Sequence, residues 1–202
     1  VRNSRWVGLC ILPSYEALET SIRCESSPTM DLVELPAEEA AVRRFIEDLW
    51  LPYNRELEAT VDQFALAADV DLITEELPFR LDRVDTEGYR TWIAVDGSTD
   101  AATLADMGGE FAGFIAAEID EAPSVFDRPD RLFICDIYVD ESYRGTGLAN
   151  ELFDRLQVWA RETGCEEFSL DPHADNDRAI AFYEKLGFET TQYHMVASIE
   201  DE

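Results

Sequence analysis

Residues 134–149 read ICDIYVDESYRGTGLA and precede a segment with helical apolar periodicity. An apolar run ends at Val139, a short polar turn follows, and Gly145 and Gly147 lie where the helix is predicted to begin. Glycines at a strand-to-helix junction leave backbone N–H groups uncovered, and the helix dipole adds partial positive charge at the same point. The stretch therefore predicts a turn that can bind a phosphate or pyrophosphate group.

Residues 176–188 read NDRAIAFYEKLGF and predict an amphipathic helix. Asn176 is a candidate for the N-cap, because its side-chain oxygen can accept a hydrogen bond from the first turn. An apolar stripe at helical spacing follows it, formed by Ala179, Phe182, Tyr183 and Leu186. Gly187 suits the left-handed residue that closes many helices, and Phe188 is predicted to begin a strand.

Together, the two stretches resemble the signatures of the GNAT superfamily of N-acetyltransferases. Arg144, Gly147 and Ala149 fill the acetyl-CoA-binding pattern Gln/Arg-x-x-Gly-x-Gly/Ala. Residues 176–188 fit the second pattern, Asn-x-x-Ala-x-x-x-Tyr-x-x-x-Gly-Phe. The two patterns also occur in the family's order, so the chain is identified as a member over about residues 30–199.

The resemblance implies the GNAT fold, an α/β protein of the α+β type. Its central sheet is mixed and mostly antiparallel, with six to seven strands and helices on both faces. Apolar periodicity predicts strands at 31–35, 89–95, 110–119, 131–139 and 167–170, with one or two closing strands over 188–199. Helices are predicted at 36–49, 53–68, 147–162 and 176–186, and residues 70–84 are ambiguous, with a helix as one interpretation. Pro52 is predicted to end the first helix.

The first 29 residues differ in charge from the remainder of the chain. They hold three acidic and three basic residues, whereas residues 30–202 carry 41 acidic and 13 basic residues. We therefore interpret residues 1–29 as an N-terminal extension that need not belong to the native domain. Residues 30–202 are interpreted as the N-acetyltransferase domain. A signal peptide is the alternative for the extension, since two arginines precede a short apolar run over residues 6–13.

The acidic composition indicates the environment in which the protein works. Asp and Glu number 44 against 16 Lys and Arg, the net charge is −28, and Lys185 is the single lysine. Self-repulsion of this size is screened at molar salt, where the Debye length is about 3 Å. We expect a cytoplasmic protein of a halophilic archaeon, with an acidic protein of an ordinary cell as the alternative. The charge argues against binding to nucleic acid or to an anionic membrane.

The resemblance implies that an amine attacks the thioester of acetyl-CoA directly, without a covalent enzyme intermediate. The pyrophosphate is expected at the turn, against Arg144, Gly145, Thr146, Gly147, Leu148 and Ala149. In the family the preceding strand bulges and splays from its neighbour, here residues 167–170. The freed backbone of Ile137, Tyr138 and Val139 is then expected to bind the pantetheine arm and the thioester oxygen. Asn176 is expected to cap its helix near that arm.

Two residues are candidates for the proton transfers. Tyr183 occupies the position whose hydroxyl protonates the departing thiolate in many family members; its other interpretation is a core tyrosine. Asp136 is predicted to share a face of its strand with Ile134 and Tyr138, and it is the candidate general base, unless it makes a structural hydrogen bond instead. Other candidates for the base are Glu118, Asp171, His173 and a chain of water molecules.

The acceptor amine is not defined by the sequence. A polyamine, an aminoglycoside, a free amino acid, a protein N-terminus and a lysine side chain all stay open, and the protein is expected as a monomer or a homodimer. A GNAT-fold sensor that binds acyl-CoA without turnover is the alternative function. The four cysteines and two histidines show no spacing typical of a metal site, so no metal is predicted.

Overall fold

A computed structural model describes residues 10–11 as backbone only, and residues 30–97, 104–106 and 108–198 in full. The strands are β1 Cys10–Ile11, β2 Asp31–Glu34, β3 Tyr89–Asp96, β4 Glu110–Asp120, β5 Arg131–Val139 and β6 Glu167–Ser169. The α-helices are α1 Glu39–Phe45, α2 Leu51–Glu58, α3 Leu72–Val84, α4 Leu148–Thr163 and α5 Asp177–Lys185. Apart from β1, residues 1–29 lie outside the described residues, so the domain boundary at residue 30 stays a prediction.

The strands form one open, mixed sheet in the order β1-β5-β4-β3-β2, with β6 also paired to β5. The pairings β2–β3, β3–β4 and β4–β5 are antiparallel, and β1 and β6 run parallel to β5. Residues 30–198 supply five strands, fewer than the six to seven predicted, and the two-residue β1 is the sixth member of the sheet. The predicted mixed, mostly antiparallel sheet is confirmed.

Helices cover both faces of the sheet, as predicted. On one face, α1, α2 and α3 pack with Phe114 and Tyr138 in an apolar core. On the other face, α4 and α5 pack with Trp92, Ile137 and Val139 in a second core. Since β3 and β4 are buried on both faces, their sequences are near-continuously apolar rather than alternating.

Pro52 does not end the first helix, contrary to the prediction. Helical structure runs from α1 through a π-helical segment, Ile46–Trp50, into α2, where Pro52 lies in the first turn. The Leu51 N–H donates to the carbonyl of Ile46, five residues back. A wider turn of this kind lets the chain pass a residue that has no N–H to donate. The second helix is shorter than predicted and ends at Glu58, and a 3₁₀ turn follows at Asp62–Phe64.

Farther along the chain, most predicted elements are confirmed and one is wrong. The ambiguous residues 70–84 contain α3, whose N-cap Asp71 accepts a hydrogen bond from the N–H of Thr74. Residues 188–198 form no strand, and the apolar side chains of Tyr193 and Met195 are exposed there. No helix within the described ranges is long and apolar enough to cross a bilayer.

The central strand pair contains the irregularity that shapes the site. Ala116 pairs with Asp136 and Ala117 pairs with Ile134, so Cys135 is the extra residue of a β-bulge in β5. Farther along the pair, β4 approaches β5 so closely that a Cβ atom on Gly113 would lie 2.5 Å from the carbonyl oxygen of Tyr138. Glycine at this position therefore lets the two backbones approach each other near the end of β5.

Candidate active site

The edge of β5 that faces away from β4 is divided between two partners. β6 pairs with its first three residues, Arg131–Phe133, and the pairing stops at Ser169. The bulge at Cys135 follows directly, and from there on β6 no longer accompanies β5. The expected bulge and splay of this strand are therefore present, and they open a gap in the sheet beside Ile137 and Tyr138.

The two-residue strand β1 lies in this gap. Cys10 pairs with Ile137 and Ile11 with Tyr138, in the parallel direction. β1 also contacts α2 on one side of the sheet and α5 on the other. The backbone edge that sequence analysis assigned to the pantetheine arm is therefore the edge on which residues 10–11 lie.

The predicted phosphate turn lies at the end of β5, at the start of α4. Gly145 and Gly147 have φ values of 80° and 100°, in the left-handed region that favours glycine, and Gly147 is the N-cap of α4. Thr146 Oγ1 donates to the carbonyl of Tyr143 over 2.7 Å, which fixes the turn. Within the described part of the chain, no group accepts a hydrogen bond from the N–H of Gly145, Thr146, Gly147 or Ala149. Four donors at a helix N-terminus suit an anion.

The side chain of Arg144 contacts α2. Its guanidinium forms an ion pair with both carboxylate oxygens of Glu56, at 2.7 and 2.6 Å, and its Nε donates to the carbonyl of Val139 over 3.0 Å. The Tyr138 hydroxyl donates to the same Glu56 carboxylate over 3.0 Å. Partial burial, together with Glu56, raises the pKa of Tyr138. Arg144 therefore links β5 to α2.

The helix α5 has both predicted caps. Asn176 is buried, and its Oδ1 accepts a hydrogen bond from the N–H of Ala179 over 3.1 Å. At the other end Gly187 has φ 89°, and the N–H of Phe188 donates to the carbonyl of Tyr183 over 3.0 Å. These bonds fix the direction of α5 against the sheet.

Tyr183 lies on the buried face of α5, 3% exposed, in the core shared with α4. Its ring meets the ring of Phe188 edge-on, with centroids 5.1 Å apart, and the ring of Phe182 at 5.4 Å. Since α5 contacts β1, this helix borders the gap in the sheet. Tyr183 is thus a well-packed core tyrosine on the helix that flanks the gap.

Asp136 faces the opposite side of the sheet. It accepts a hydrogen bond from the Tyr53 hydroxyl over 3.0 Å, and its Oδ2 lies 3.7 Å from Nη1 of Arg80. Burial raises the pKa of the Asp136 carboxyl, and the charge of Arg80 opposes that rise. A buried carboxyl with a raised pKa, next to the gap, is suited to accept a proton.

The prediction that Asp136 shares a face with both Ile134 and Tyr138 is wrong for Ile134. Tyr138 packs in the core of α1–α3, where Asp136 meets Tyr53, whereas Ile134 packs in the core of α4 and α5. The extra residue Cys135 causes the difference, because period two holds only within an unbroken strand.

The other candidates for a base are placed less favourably. Glu118 forms an ion pair with Arg83, at 2.9 Å. His173 is 3.2 Å from the side-chain oxygen of Gln63, and Asp171 is exposed in the loop after β6. Of the candidates with a side chain, Asp136 is the one buried next to the gap. Within the described residues, no group of three or more His, Cys, Asp or Glu side chains could hold a metal ion.

Four residues of this region were not identified from the sequence. They are Tyr53 and Glu56 on α2, and Glu76 and Arg80 on α3. Tyr53, Glu56 and Arg80 contact β5 from another element, so local periodicity contains no trace of these contacts. The available signal was Glu76 and Arg80 at helical i, i+4 spacing, which is typical of an exposed ion pair, whereas here Arg80 is buried and Glu76 is half-buried.

Comparison with known proteins gives partial matches to N-acetyltransferases. An aminoglycoside N(6')-acetyltransferase type 1 of Acinetobacter genomosp. 13 is 38% identical over 60 residues, which are 30% of this chain and 41% of that protein. The N-alpha-acetyltransferase MAK3 of Arabidopsis thaliana is 35% identical over 85 residues, 42% of this chain and 43% of that protein. The chain thus spans less than half the length of these curated relatives.

The fold and a family model agree with those matches. The solved structure of AAC(6')-Iy in complex with the bisubstrate analog CoA-S-monomethyl-acetylneamine has a TM-score of 0.56 and 20% identity, over 86% of this chain and 99% of that one. At this identity the likeness shows the fold. The model of the acetyltransferase (GNAT) family matches residues 65–188, which include the phosphate turn, the bulged strand and α5. The chain belongs to the acetyltransferase (GNAT) family.

Proposed function

We propose that this protein transfers an acetyl group from acetyl-CoA to a primary amine. One observation carries the proposal: a bulged, splayed β5 leads directly into a turn with four N–H donors. Among the described residues, no group accepts a hydrogen bond from these donors. Family membership, and relatives named as N-acetyltransferases, support the same activity.

The chemistry of the turn fits the pyrophosphate of CoA. The N–H groups of Gly145, Thr146, Gly147 and Ala149 supply donors without bringing a side-chain anion to the same point. Neither Gly145 nor Gly147 has a described atom within 4 Å of the place where a Cβ would stand, so the surface above the turn is open. The pantetheine arm would run along Ile137 to Val139, in place of Cys10–Ile11.

Bound acetyl-CoA supplies a thioester carbonyl that an uncharged amine can attack. Asp136 accepts the proton that the ammonium form of the amine must lose. The backbone of β5 next to the bulge orients the reacting carbonyl and stabilises charge on its oxygen. The amine nitrogen bonds to the carbonyl carbon, and Tyr183 donates a proton to the sulfur as the C–S bond breaks. The second amine proton leaves to solvent as the amide forms, and Asp136 and Tyr183 return to their starting protonation states by exchange with solvent.

The acceptor is proposed to be a cationic amine. The relatives whose names specify a substrate include aminoglycoside acetyltransferases, and a net charge of −28 favours cationic molecules at the surface in general. We also retain the proposal of a cytoplasmic enzyme adapted to high salt, which rests on the excess of acidic residues and the single lysine.

A thermal-shift measurement in molar KCl tests the function. CoA should raise the melting temperature, because only the folded protein has the site. Gly147→Glu should abolish the shift, since it places a carboxylate at the pyrophosphate position. Amines are then screened for acetylation with acetyl-CoA. No shift at saturating CoA would refute the proposal, and a shift without turnover on any amine would favour the non-catalytic sensor.

A further inference from the structure

The helix α3 buries an arginine where an amphipathic helix would place an apolar residue. Arg80 is 8% exposed and lies between the carboxylates of Glu76, on its own helix, and Asp136, on β5. Its guanidinium also lies over the ring of Trp50, 5.4 Å from the centroid. A buried guanidinium held by two carboxylates from different elements is costly to assemble, and it needs more than a packing explanation.

The arginine is shared unequally between its two partners. Its Nε donates to Glu76 over 2.5 Å, whereas its Nη1 stays 3.7 Å from Asp136. The short contact is a charge-assisted hydrogen bond, and the long one is a purely electrostatic contact. When both carboxylates are ionised, one positive charge faces two negative ones in a buried place. Glu76 therefore competes with Asp136 for the charge of Arg80.

We infer that Glu76 and Arg80 are a positioning pair for the transfer reaction: Glu76 holds the guanidinium back, so that Asp136 keeps a weakly compensated carboxylate able to accept a proton. This inference rests on the proposed function of Asp136. A carboxylate in full contact with an arginine is a poor base, because the ion pair stabilises its charged form. A buried carboxylate with no cation nearby would instead stay protonated and could accept nothing.

Among the residues that the structure describes, few other charges near Asp136 could take over this role. Tyr53 donates to it from α2, and Tyr138 and Cys135 are its neighbours on β5. From α3 and the adjoining strands, the remaining titratable groups are Glu76, Arg80, Arg83, Tyr89 and Glu118. Arg83 is held by Glu118 at 2.9 Å, so Arg80 is the cation that a change at Glu76 would redirect.

The pKa shifts of Glu76 and Asp136 agree with their shared contact to Arg80. Burial raises the pKa of Glu76, and the neighbouring Arg80 opposes that rise. Burial likewise raises the pKa of Asp136, with Arg80 as the largest opposing influence. Both carboxyls depend on the same guanidinium, so neutralising one must change the protonation of the other.

Two variants should move the pKa of Asp136 in opposite directions. Glu76→Gln removes the competing carboxylate and frees Arg80 to pair with Asp136, so the pKa of Asp136 should fall by about one pH unit. Arg80→Met removes the cation, so that pKa should rise. Carbon-13 NMR of the labelled aspartate carboxyls measures both shifts without turnover. Asp120→Asn is the matched control, because it removes one acid that pairs with Arg128 at the far end of β4.

The pH dependence of kcat/KM connects these shifts to the reaction. With Glu76→Gln, the acidic limb of the profile should move to lower pH by the same amount as the pKa of Asp136, and with Asp120→Asn it should stay in place. If Arg80→Met does not fold, Glu76→Gln decides alone. The inference would be overturned if the pKa of Asp136 in Glu76→Gln equals that of the wild type. It would also be overturned if that pKa shifts but the acidic limb of the kcat/KM profile does not. Failure of the proposed function is distinguishable, since it shows as absent CoA binding and turnover in the wild-type protein.

Discussion

The two faces of the sheet at β5 differ in polarity. Toward α2 and α3, Asp136 accepts a hydrogen bond from the Tyr53 hydroxyl and faces the Arg80 guanidinium, which also pairs with the Glu76 carboxylate. Toward α4 and α5, Ile137 and Val139 meet aliphatic and aromatic side chains, with Tyr183 among them. The bulge at Cys135 separates the two, because it turns Asp136 to one face while Ile134 and Ile137 stay on the other.

The polar and apolar faces suit a reaction in which one residue accepts a proton and another residue donates one. A base needs partners that keep it partly ionised, and the polar cluster provides them. A phenol that donates a proton must itself be protonated beforehand, and an apolar environment favours its neutral form. Helices from both faces reach the gap, since α2 and α5 each contact β1. A thioester bound there would have the proposed base on one side and the proposed acid on the other.

The largest expected effect is on the polar face. Asp136→Asn should lower turnover by about 10³-fold, as expected for loss of a general base. The free energy of unfolding of this variant should instead increase. Burial raises the pKa of Asp136 in the folded protein, so its contribution to stability falls as the pH rises from the ordinary carboxyl value through the folded one. Urea unfolding between pH 4 and 8 should show a weaker pH dependence for the variant. Full activity with unchanged stability would remove Asp136 from the mechanism.

A second, smaller effect is expected on the apolar face. Tyr183→Phe keeps the ring packing against Phe188 and should lower turnover by about 10²-fold, with CoA affinity and melting temperature little changed. Steady-state kinetics and thermal melting of one preparation measure both. Loss of about 1–3 kcal/mol of stability with a proportionate loss of activity would instead identify a hydroxyl that serves only the fold.

Deletion of residues 1–29 tests whether β1 occupies the edge of β5 that is proposed to bind CoA. The deletion removes Cys10–Ile11 from the edge of Ile137 and Tyr138, so CoA should bind at least as tightly as to the longer chain. Isothermal titration of both forms in molar KCl gives the comparison. Weaker binding, or an insoluble product, would show that the segment packs on the domain as an integral strand.

The smallest effect concerns the phosphate end of the polar face. Glu56→Gln removes the carboxylate that holds Arg144, so the guanidinium can rotate toward the phosphate turn. The affinity for CoA should then rise a few-fold, by about 1 kcal/mol. Glu58→Gln on the same helix is the control, because Glu58 pairs with the exposed Arg55. The gain should shrink as salt rises. Equal affinities for the two variants would show that Arg144 stays with β5 and α2.

Local sequence signals predicted those parts of the site that depend on neighbours along the chain. The glycines of the phosphate turn, the Asn176 cap and the Gly187 terminus are all present, since each is determined by a few consecutive residues. The face of Ile134 was assigned wrongly because nothing in an apolar run marks a bulge. The contacts of Arg80 and Glu56 could not be predicted, because they join residues 56 and 82 or more positions apart.

The π-helical segment before α2 has a consequence for how this site tolerates change. One residue corresponds to a rotation of about 100° around a helix axis, so a π turn acts as a built-in single-residue insertion. Tyr53 and Glu56, which contact β5, both follow it. Deleting one residue within Ile46–Trp50 would carry both side chains around the helix, away from Asp136 and Arg144. The register of one helical turn thus sets which residues of α2 can contact β5.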